Sequence, residues 1–411
     1  MLTNVCVTNG QDSPGKVVLL SPTAEHERYQ SVDALRGLAL FGVLLVNLQT
    51  EFRVSIFGFY ASFHSHGGRL NVATDYAIAF LLESKSFTIF SFLFGVGMAI
   101  FFDRARCLGR KRACALLLRR LAVLAVFGVL HMLIWNGDIL LLYALAGLLT
   151  FPALLVGPRV SLGLALAVAL PCLVGAPLPG FPSQATMLRL GAAATSVYGS
   201  AGLREIVVFR CQETYLYILP LLLGSLPRVL ALILTGMASY RLGLVVDRPR
   251  HAKRYLAVAL VGLAIGCCAR SLELLAVTSQ PLARFASTFA SVPFALGYVA
   301  LFFWASADQQ RRPLVNVFAP IGRMALSNYL FQSVLLGFVF FGYGLGLFGR
   351  LGSAPVAVGG IVLYSVQVLV SRAWLERFRF GPLEWLWRSL TWGRAQPFRR
   401  NPSSLAAARR S

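Results

Sequence analysis

Residues 118–149 read LRRLAVLAVFGVLHMLIWNGDILLLYALAGLL. Two long apolar runs, near 116–135 and 138–156, are separated only by the turn Asn136-Gly137-Asp138, which contains no basic residue. A helix that crosses the hydrocarbon core of a bilayer needs about 20 predominantly apolar residues. The stretch therefore predicts two membrane-crossing helices joined by a tight turn.

Further apolar runs of similar length occur along the whole chain. They fall near 33–50, 86–102, 160–178, 221–243, 255–277, 286–306, 323–345 and 354–374. Of the 411 residues, 57% are hydrophobic and 13% are charged, whereas typical soluble domains have roughly 45–50% and about 25%. We predict an all-α, polytopic transmembrane helical bundle of about ten spans. The run at 86–102 is short and Pro227 interrupts 221–243, so nine or eleven spans are alternatives.

The distribution of basic residues predicts the orientation. The net charge is +22, and arginines cluster in 103–120, in 241–254 and after 371. Ten spans place all these segments, and both termini, on one side, which the positive-inside rule assigns to the cytoplasm. We predict a polar N-terminal tail (1–30), a transmembrane domain (31–374) with outer loops at 51–85 and 179–220, and a basic cytoplasmic tail (375–411). Membrane lipids are the expected partners, not nucleic acid.

Polar residues on the first span suggest a cavity. In VDALRGLALFGVLLVN (32–47), Asp33 and Arg36 are three residues apart, so they share a helix face and can form an ion pair. Asn47 lies eleven residues after Arg36, about 16 Å further along and close to three full turns, on the same face. This pattern favours a polar stripe that lines a cavity. The alternative is that Asp33 and Arg36 only mark the start of the helix.

His131 lies some fifteen residues into the 116–135 run, in the outer half of that span. Histidine is well suited to proton transfer near neutral pH, although a lone His on a membrane helix can also simply bond a neighbouring helix. On a continuous helix, Asp138 would lie about 10 Å away. No His–Asp hydrogen bond is therefore predicted unless the turn folds back. Arg228 follows Pro227 and lies either at a helix start or within the membrane, depending on whether the helix continues through the proline.

Several segments, in order, resemble the YeiB-like family of bacterial inner-membrane proteins, a domain of unknown function. They are VDALRGLALFGVLLVNLQ (32–49), FTIFSFLFGVGMAIFFDRA (87–105), the 118–149 stretch, LTGMASYRLGL (234–244), GRMALSNYLFQS (322–333), GYGLGLFGRL (342–351) and FGPLEWLWRSLTWGR (380–394). The resemblance implies a multi-pass protein of the bacterial inner membrane.

The D-x-x-R-G motif on the first span is similar to that of transmembrane acyltransferases, both the acyltransferase-3 and the heparan-α-glucosaminide acetyltransferase groups. Asp33 and Arg36 match the motif. Asn47 stands where the first group has a catalytic His, and the second group takes its His from the following outer loop. Here that loop offers His64 and His66 at a different spacing, so the catalytic base is not transferable. These two histidines lack an evident third ligand, and no metal site is predicted.

The resemblance implies a transmembrane acyltransferase that passes an acyl group from acyl-CoA to a sugar or small metabolite. No bound cofactor is expected, and acyl-CoA is the co-substrate. The alternatives are a small-solute transporter or exporter and a non-enzymatic membrane scaffold. For the enzyme, His131 is the expected general base, with Asp138 and Asn47 as the other catalytic residues. The expected substrate-binding residues are Asp33, Arg36, Arg119, Arg120, Arg323 and Asn328, the arginines for phosphate oxygens.

Overall fold

The computed structural model describes residues 30–61, 68–173, 183–245, 251–274 and 280–400. Within these ranges every regular element is a helix, and one isolated antiparallel bridge joins Phe378 to Arg399. The helices of the first half are α1 Gln30–Asn47, α2 Ile56–Ala61, α3 Arg69–Leu81, α4 Lys85–Ala105, α5 Arg110–Met132, α6 Leu140–Thr150, α7 Pro158–Leu173, α8 Gln184–Ser200 and α9 Leu203–Glu213. Those of the second half are α10 Leu219–Arg241, α11 Ala252–Leu274, α12 Gln280–Ser306, α13 Arg312–Asn316, α14 Ala319–Arg323, α15 Ala325–Phe340, α16 Ser353–Arg377 and α17 Pro382–Trp392.

Six helical stretches are long and apolar enough to cross a membrane. They are Gln30–Phe52, Arg69–Leu108, Arg110–Met132, Leu203–Arg241, Ala252–Ser271 and Ser353–Arg377. Four shorter apolar helices accompany them, at Leu140–Leu155, Pro158–Leu170, Ser291–Ser306 and Ala325–Phe340. The all-α, membrane-type class is thus confirmed, and each predicted apolar run overlaps one of these helices. Whether the shorter helices also cross, giving ten spans, stays a prediction.

Many of the basic residues in the described ranges lie at one end of the bundle. Arg241 at the end of α10 bonds Asp103 near the end of α4, with 2.8 Å between Nη2 and Oδ1. Trp387 of α17 donates a hydrogen bond of 2.9 Å to the backbone carbonyl of Arg120 on α5. We call this side, formed by the ends of α4 and α10, the start of α5 and α17, the basic end. Asn71 of α3 meets the start of α16 at the opposite end, where its Oδ1 accepts from the Ala354 amide.

Helix α1 runs through the middle of the molecule and contacts α4, α12, α14, α15 and α16. Glycines allow its closest crossing. A Cβ on Gly37 would overlap the carbonyl oxygen of Phe318, and one on Gly322 would overlap that of Asp33. The glycine of the D-x-x-R-G motif therefore has a packing role, because it lets α14 approach α1 backbone to backbone. The same crossing brings Arg323 beside Asp33 and Arg36.

Helix α10 continues through Pro227. Of the two positions that the sequence allowed for Arg228, at a helix start or within the helix, the structure therefore shows the second. The residue lies within the helix, and its guanidinium is 5.3 Å from the centre of the Phe87 ring. A proline inside a membrane helix is tolerated where neighbouring helices satisfy the freed backbone groups. Arg228 therefore lies within the helix beside the Phe87 ring and does not mark a helix start.

The predicted C-terminal tail contains an ordered helix. Helix α16 extends to Arg377, and α17 follows after a short turn. Proline at the first position of α17 and Gly393 with a positive φ of 69° after its last residue are typical start and stop signals. Ser327 at the start of α15 fixes α17, because its amide and hydroxyl both donate to the Glu384 carboxylate. The segment after α16 thus folds back under the bundle.

We expect Gly322→Ala to destabilise the protein, since the added methyl group must push α14 away from α1. Overpacking of this kind costs about 1–3 kcal/mol. Gly359→Ala on α16 is the matched control, because nothing lies within 4 Å of its would-be Cβ. Thermal unfolding of the detergent-solubilised variants measures the difference. Equal melting temperatures for the two variants would contradict the close crossing.

Candidate functional site

A cavity of about 320 Å³ opens among α1, α4, α5, α6, α14, α15 and the segment that follows α16. Its charged lining lies at the basic end and consists of six arginines and two carboxylates. The arginines are Arg36, Arg104, Arg120, Arg323, Arg379 and Arg388, and the acids are Asp33 and Glu384. Six guanidinium groups in one concave site favour a ligand with several negative charges, because Arg forks match phosphate and carboxylate oxygens.

Arg120 holds the central position among these cations. Its guanidinium stacks 3.7 Å from the centre of the Trp387 ring and 5.0 Å from that of Phe101. The positive charges of Arg388 and Arg36 lie close enough to repel it. Cation–π contacts stabilise the side chain without using its hydrogen-bond donors. The guanidinium edge therefore stays available to an anion that would relieve the repulsion.

The two carboxylates of the cavity neutralise little of this charge. Asp33 is already paired with Arg36, with 3.0 Å between Oδ1 and Nη1. Glu384 is held by Ser327, and burial raises the pKa of the Glu384 carboxyl above its ordinary value, while the Ser327 hydrogen bonds act in the opposite direction. Both Glu384 oxygens are thus already engaged by Ser327. The site consequently keeps a strong positive balance.

The cavity becomes apolar away from the basic end. Its lining on α1 extends from Val32 to Val43, a depth of about 16 Å at 1.5 Å per residue. Leu121, Leu124 and Tyr143 line the inner part. The depth is roughly half the 30 Å thickness of a hydrocarbon core. An amphipathic ligand fits this arrangement, with its anionic group at the arginines and its apolar part directed inward.

A buried His–Asp pair lies beyond the inner end. His131 Nδ1 is 2.7 Å from Asp138 Oδ1, and both side chains are fully buried. The bond forms because α5 ends at Met132 and the 133–139 turn folds back, so the continuous-helix spacing does not apply. Asp138 Oδ2 also accepts from the Leu141 amide at 2.9 Å, which fixes the carboxylate at the start of α6. The fold-back that the sequence did not predict thus creates a His–Asp pair.

The pair leaves one nitrogen of His131 available. Nε2 is buried and has no hydrogen-bond partner within the described part of the chain. A carboxylate at Nδ1 fixes the tautomer with the proton on Nδ1, so Nε2 carries the lone pair. This is the arrangement of a general base. The His131 ring lies 5.1 Å from the ring of Tyr329, which lines the cavity.

A second, smaller cavity of about 60 Å³ lies on the other side of Tyr329. Asn47, Ser84 and Ser86 are its polar lining residues, and Val43, Ile139 and Tyr329 line both cavities. Ser84 has a φ of 62°, a left-handed backbone conformation that is uncommon outside glycine. The two cavities are thus neighbours with Tyr329 in the wall between them.

The structure brings together most of the residues that the sequence singled out. Asp33, Arg36, Arg120 and Arg323 line the large cavity, Asn47 lines the small one, and His131 with Asp138 lies next to Tyr329. Two predicted binding residues lie elsewhere. Arg119 is exposed on α5 with its guanidinium near Gly393, and Asn328 donates a 3.0 Å bond to Ser371 between α15 and α16. His64 and His66 fall outside the described residues.

Sequence reasoning missed the residues that α17 and its preceding turn contribute. Arg379, Arg388 and Trp387 belong to the segment interpreted as a basic tail, yet they line the cavity. A signal was present, because Pro382 and Gly393 bracket an amphipathic segment with the pattern of a short helix. Helix start and stop residues around a Trp-rich run predict a docked helix better than a free tail.

Comparison with known proteins identifies the family. Residues 239–394 match a family model described as protein of unknown function (DUF418). The chain is 32% identical over 400 residues to the uncharacterized protein YxaH of Bacillus subtilis strain 168, covering 92% of this chain and 98% of the relative. It is 30% identical over 394 residues to the uncharacterized protein YeiB of Escherichia coli strain K12, covering 90% and 98%. The chain belongs to the YeiB-like family of proteins of unknown function and contains a DUF418 match.

Proposed function

We propose that this protein is a transmembrane acyltransferase that passes an acyl group from acyl-CoA to a hydroxyl or amine of a sugar or small metabolite. One observation carries the proposal. An arginine-rich cavity becomes apolar along its length and ends at Tyr329, whose ring contacts a buried His–Asp pair. The elements of binding and of proton transfer therefore lie at opposite ends of one site.

The charge distribution suits acyl-CoA as the donor. Its phosphates are polyanionic, and Arg36, Arg120 and Arg388 at the basic end provide several guanidinium forks for them. The pantetheine arm and the acyl chain are long and less polar, which fits the apolar inner part of the cavity. This orientation places the thioester near Tyr329 and within reach of His131 once the tyrosine ring rotates.

The chemistry follows from the available nitrogen of His131. Nε2 takes the proton of the acceptor hydroxyl or amine as the acceptor atom attacks the thioester carbonyl. The carbon–sulfur bond then breaks, and the departing CoA thiolate receives the proton from the imidazolium. Asp138 stabilises the transient positive charge on the ring. The Asn47 amide, on the other side of Tyr329, orients the reacting carbonyl or the acceptor.

We further propose that the chain crosses the bacterial inner membrane ten times, with both termini and the basic end in the cytoplasm, where acyl-CoA is present. The excess of arginine at this end supports that orientation. Tags fused to residue 1 and to residue 411 should both report the cytoplasm in a reporter-fusion or protease-accessibility assay. Opposite locations of the two tags would contradict the ten-span topology.

Arg120→Gln should weaken acyl-CoA binding roughly 10- to 100-fold, because a charge-assisted hydrogen bond contributes about 1.5–3 kcal/mol. Isothermal titration calorimetry with a non-hydrolysable acyl-CoA analogue measures the effect. The adjacent Arg119→Gln is the matched control, since that side chain is exposed outside the cavity. A larger loss in Arg119→Gln than in Arg120→Gln would contradict the proposed phosphate site.

His131→Gln should lower acyl transfer by roughly 100- to 10,000-fold, the usual contribution of a general base. Binding of the acyl-CoA analogue should stay unchanged, because His131 is not part of the cavity lining. Transfer of a radiolabelled acyl group in membrane vesicles is the measurement. Solute flux in proteoliposomes without any labelled product would contradict the enzyme and identify a transporter.

A further inference from the structure

Helix α9 holds the turn that carries Asp138. Arg210 Nη1 donates a 2.9 Å hydrogen bond to the carbonyl of Leu133, just after the end of α5. Glu213 Oε2 accepts a 2.6 Å hydrogen bond from Asn136 Nδ2, two residues before Asp138. Both α9 side chains are buried, at 1% and 4% exposure. Two points of one seven-residue turn are thus bound from the same helix.

The two α9 side chains are themselves fixed by their neighbours. The same Glu213 oxygen accepts a 2.6 Å bond from the Tyr198 hydroxyl of α8. The Arg210 guanidinium lies 5.7 Å from the centre of the Tyr198 ring and 5.1 Å from that of Phe341. Neither Arg210 nor Glu213 lines either cavity. Burying ionisable groups such as Arg210 and Glu213 is costly. Contact with a ligand in either cavity does not explain why these two are buried.

A third ionisable side chain, Glu51, approaches the turn at Gly137. A Cβ on Gly137 would overlap the Glu51 carboxylate, so only glycine fits between this group and Trp135. Glu51 lies within the π-helical segment Leu48–Phe52, and Glu213 directly precedes the π-helical segment Thr214–Ile218. Such segments are rare and often occur at functional sites. Each of these two segments is thus accompanied by a carboxyl group, Glu51 or Glu213, that lies against the Asn136-Gly137 turn.

We propose that Glu213, together with Arg210, is a positioning residue that sets the His131–Asp138 pair through the 133–139 turn. The Glu213–Asn136 bond fixes the turn two residues before Asp138, and the Arg210–Leu133 bond fixes it two residues after His131. With both ends held, the Asp138 carboxylate stays in line with Nδ1. Nε2 of His131 then keeps its lone pair. For its effect on catalysis this inference rests on the proposed acyl transfer.

The test compares Glu213→Ala with Glu213→Gln. The Gln carbonyl oxygen can accept both hydrogen bonds, whereas Ala accepts neither. Solid-state ¹⁵N spectra of histidine-labelled protein, assigned by subtraction with His131→Gln, report the tautomer of His131. We expect a single Nδ1-protonated tautomer in the wild type and in Glu213→Gln, and a mixture of tautomers in Glu213→Ala. This readout does not depend on any enzymatic activity.

In the transfer assay, Glu213→Ala should lower kcat at least ~10-fold with an unchanged KM for acyl-CoA, and Glu213→Gln should restore it. Asn136→Ala should also lower kcat, and the double variant should be no worse than Glu213→Ala, because both single variants remove the Glu213–Asn136 bond. If Glu213→Ala keeps a single His131 tautomer and full kcat, the proposal is overturned. It is also overturned if the variant loses acyl-CoA binding together with its activity, because Glu213 would then support the binding site and not the His131–Asp138 pair. Absence of transfer in the wild type overturns the enzyme and leaves the tautomer result to decide the positioning role.

Discussion

Charged and polar groups inside this bundle must find their partners within the protein, because hydrocarbon offers none. The structure meets this constraint in three ways. Asp33 pairs with Arg36 on one helix face, Arg120 stacks on Trp387, and His131 bonds Asp138. The first pair forms within α1, the second contact requires α17 to pack on α5, and the third bond requires a turn to fold back. The positions of α17 and of the 133–139 turn thus follow from groups that lipid cannot solvate.

The fold class could be predicted from the sequence because a helix that crosses the bilayer needs apolar residues along most of its length. The apolar runs near 33–50 and 354–374 predict α1 and α16 to within a few residues. Pro227 was ambiguous, since a proline ends a helix in water but is tolerated where neighbouring helices replace the lost bond. Local sequence does not contain those neighbours. The continuity of α10 is therefore a property of the packed bundle.

Only some of the candidate site residues could be predicted from the sequence. Asp33 and Arg36 were identified because an ion pair at a span entrance is unusual, and the structure places both in the cavity. Arg119 and Arg120 are consecutive, so they point about 100° apart on α5, and only the docking of α17 decides which one faces inward. The His131–Asp138 bond depends on the fold-back of a short turn. Helical spacing alone predicts the opposite.

The unpartnered Nε2 of His131 argues that this residue is more than a packing element. A buried polar atom without a hydrogen bond costs about 1–3 kcal/mol, and a leucine of similar volume would avoid that cost at this position. Nε2 is buried, and His131 does not line the large cavity, whereas the neighbouring Tyr329 does. Such unfavourable arrangements persist where they are part of a function. The general base that we propose fits that condition, because it needs an oriented ring and an Nε2 lone pair that is kept for the proton of the acceptor.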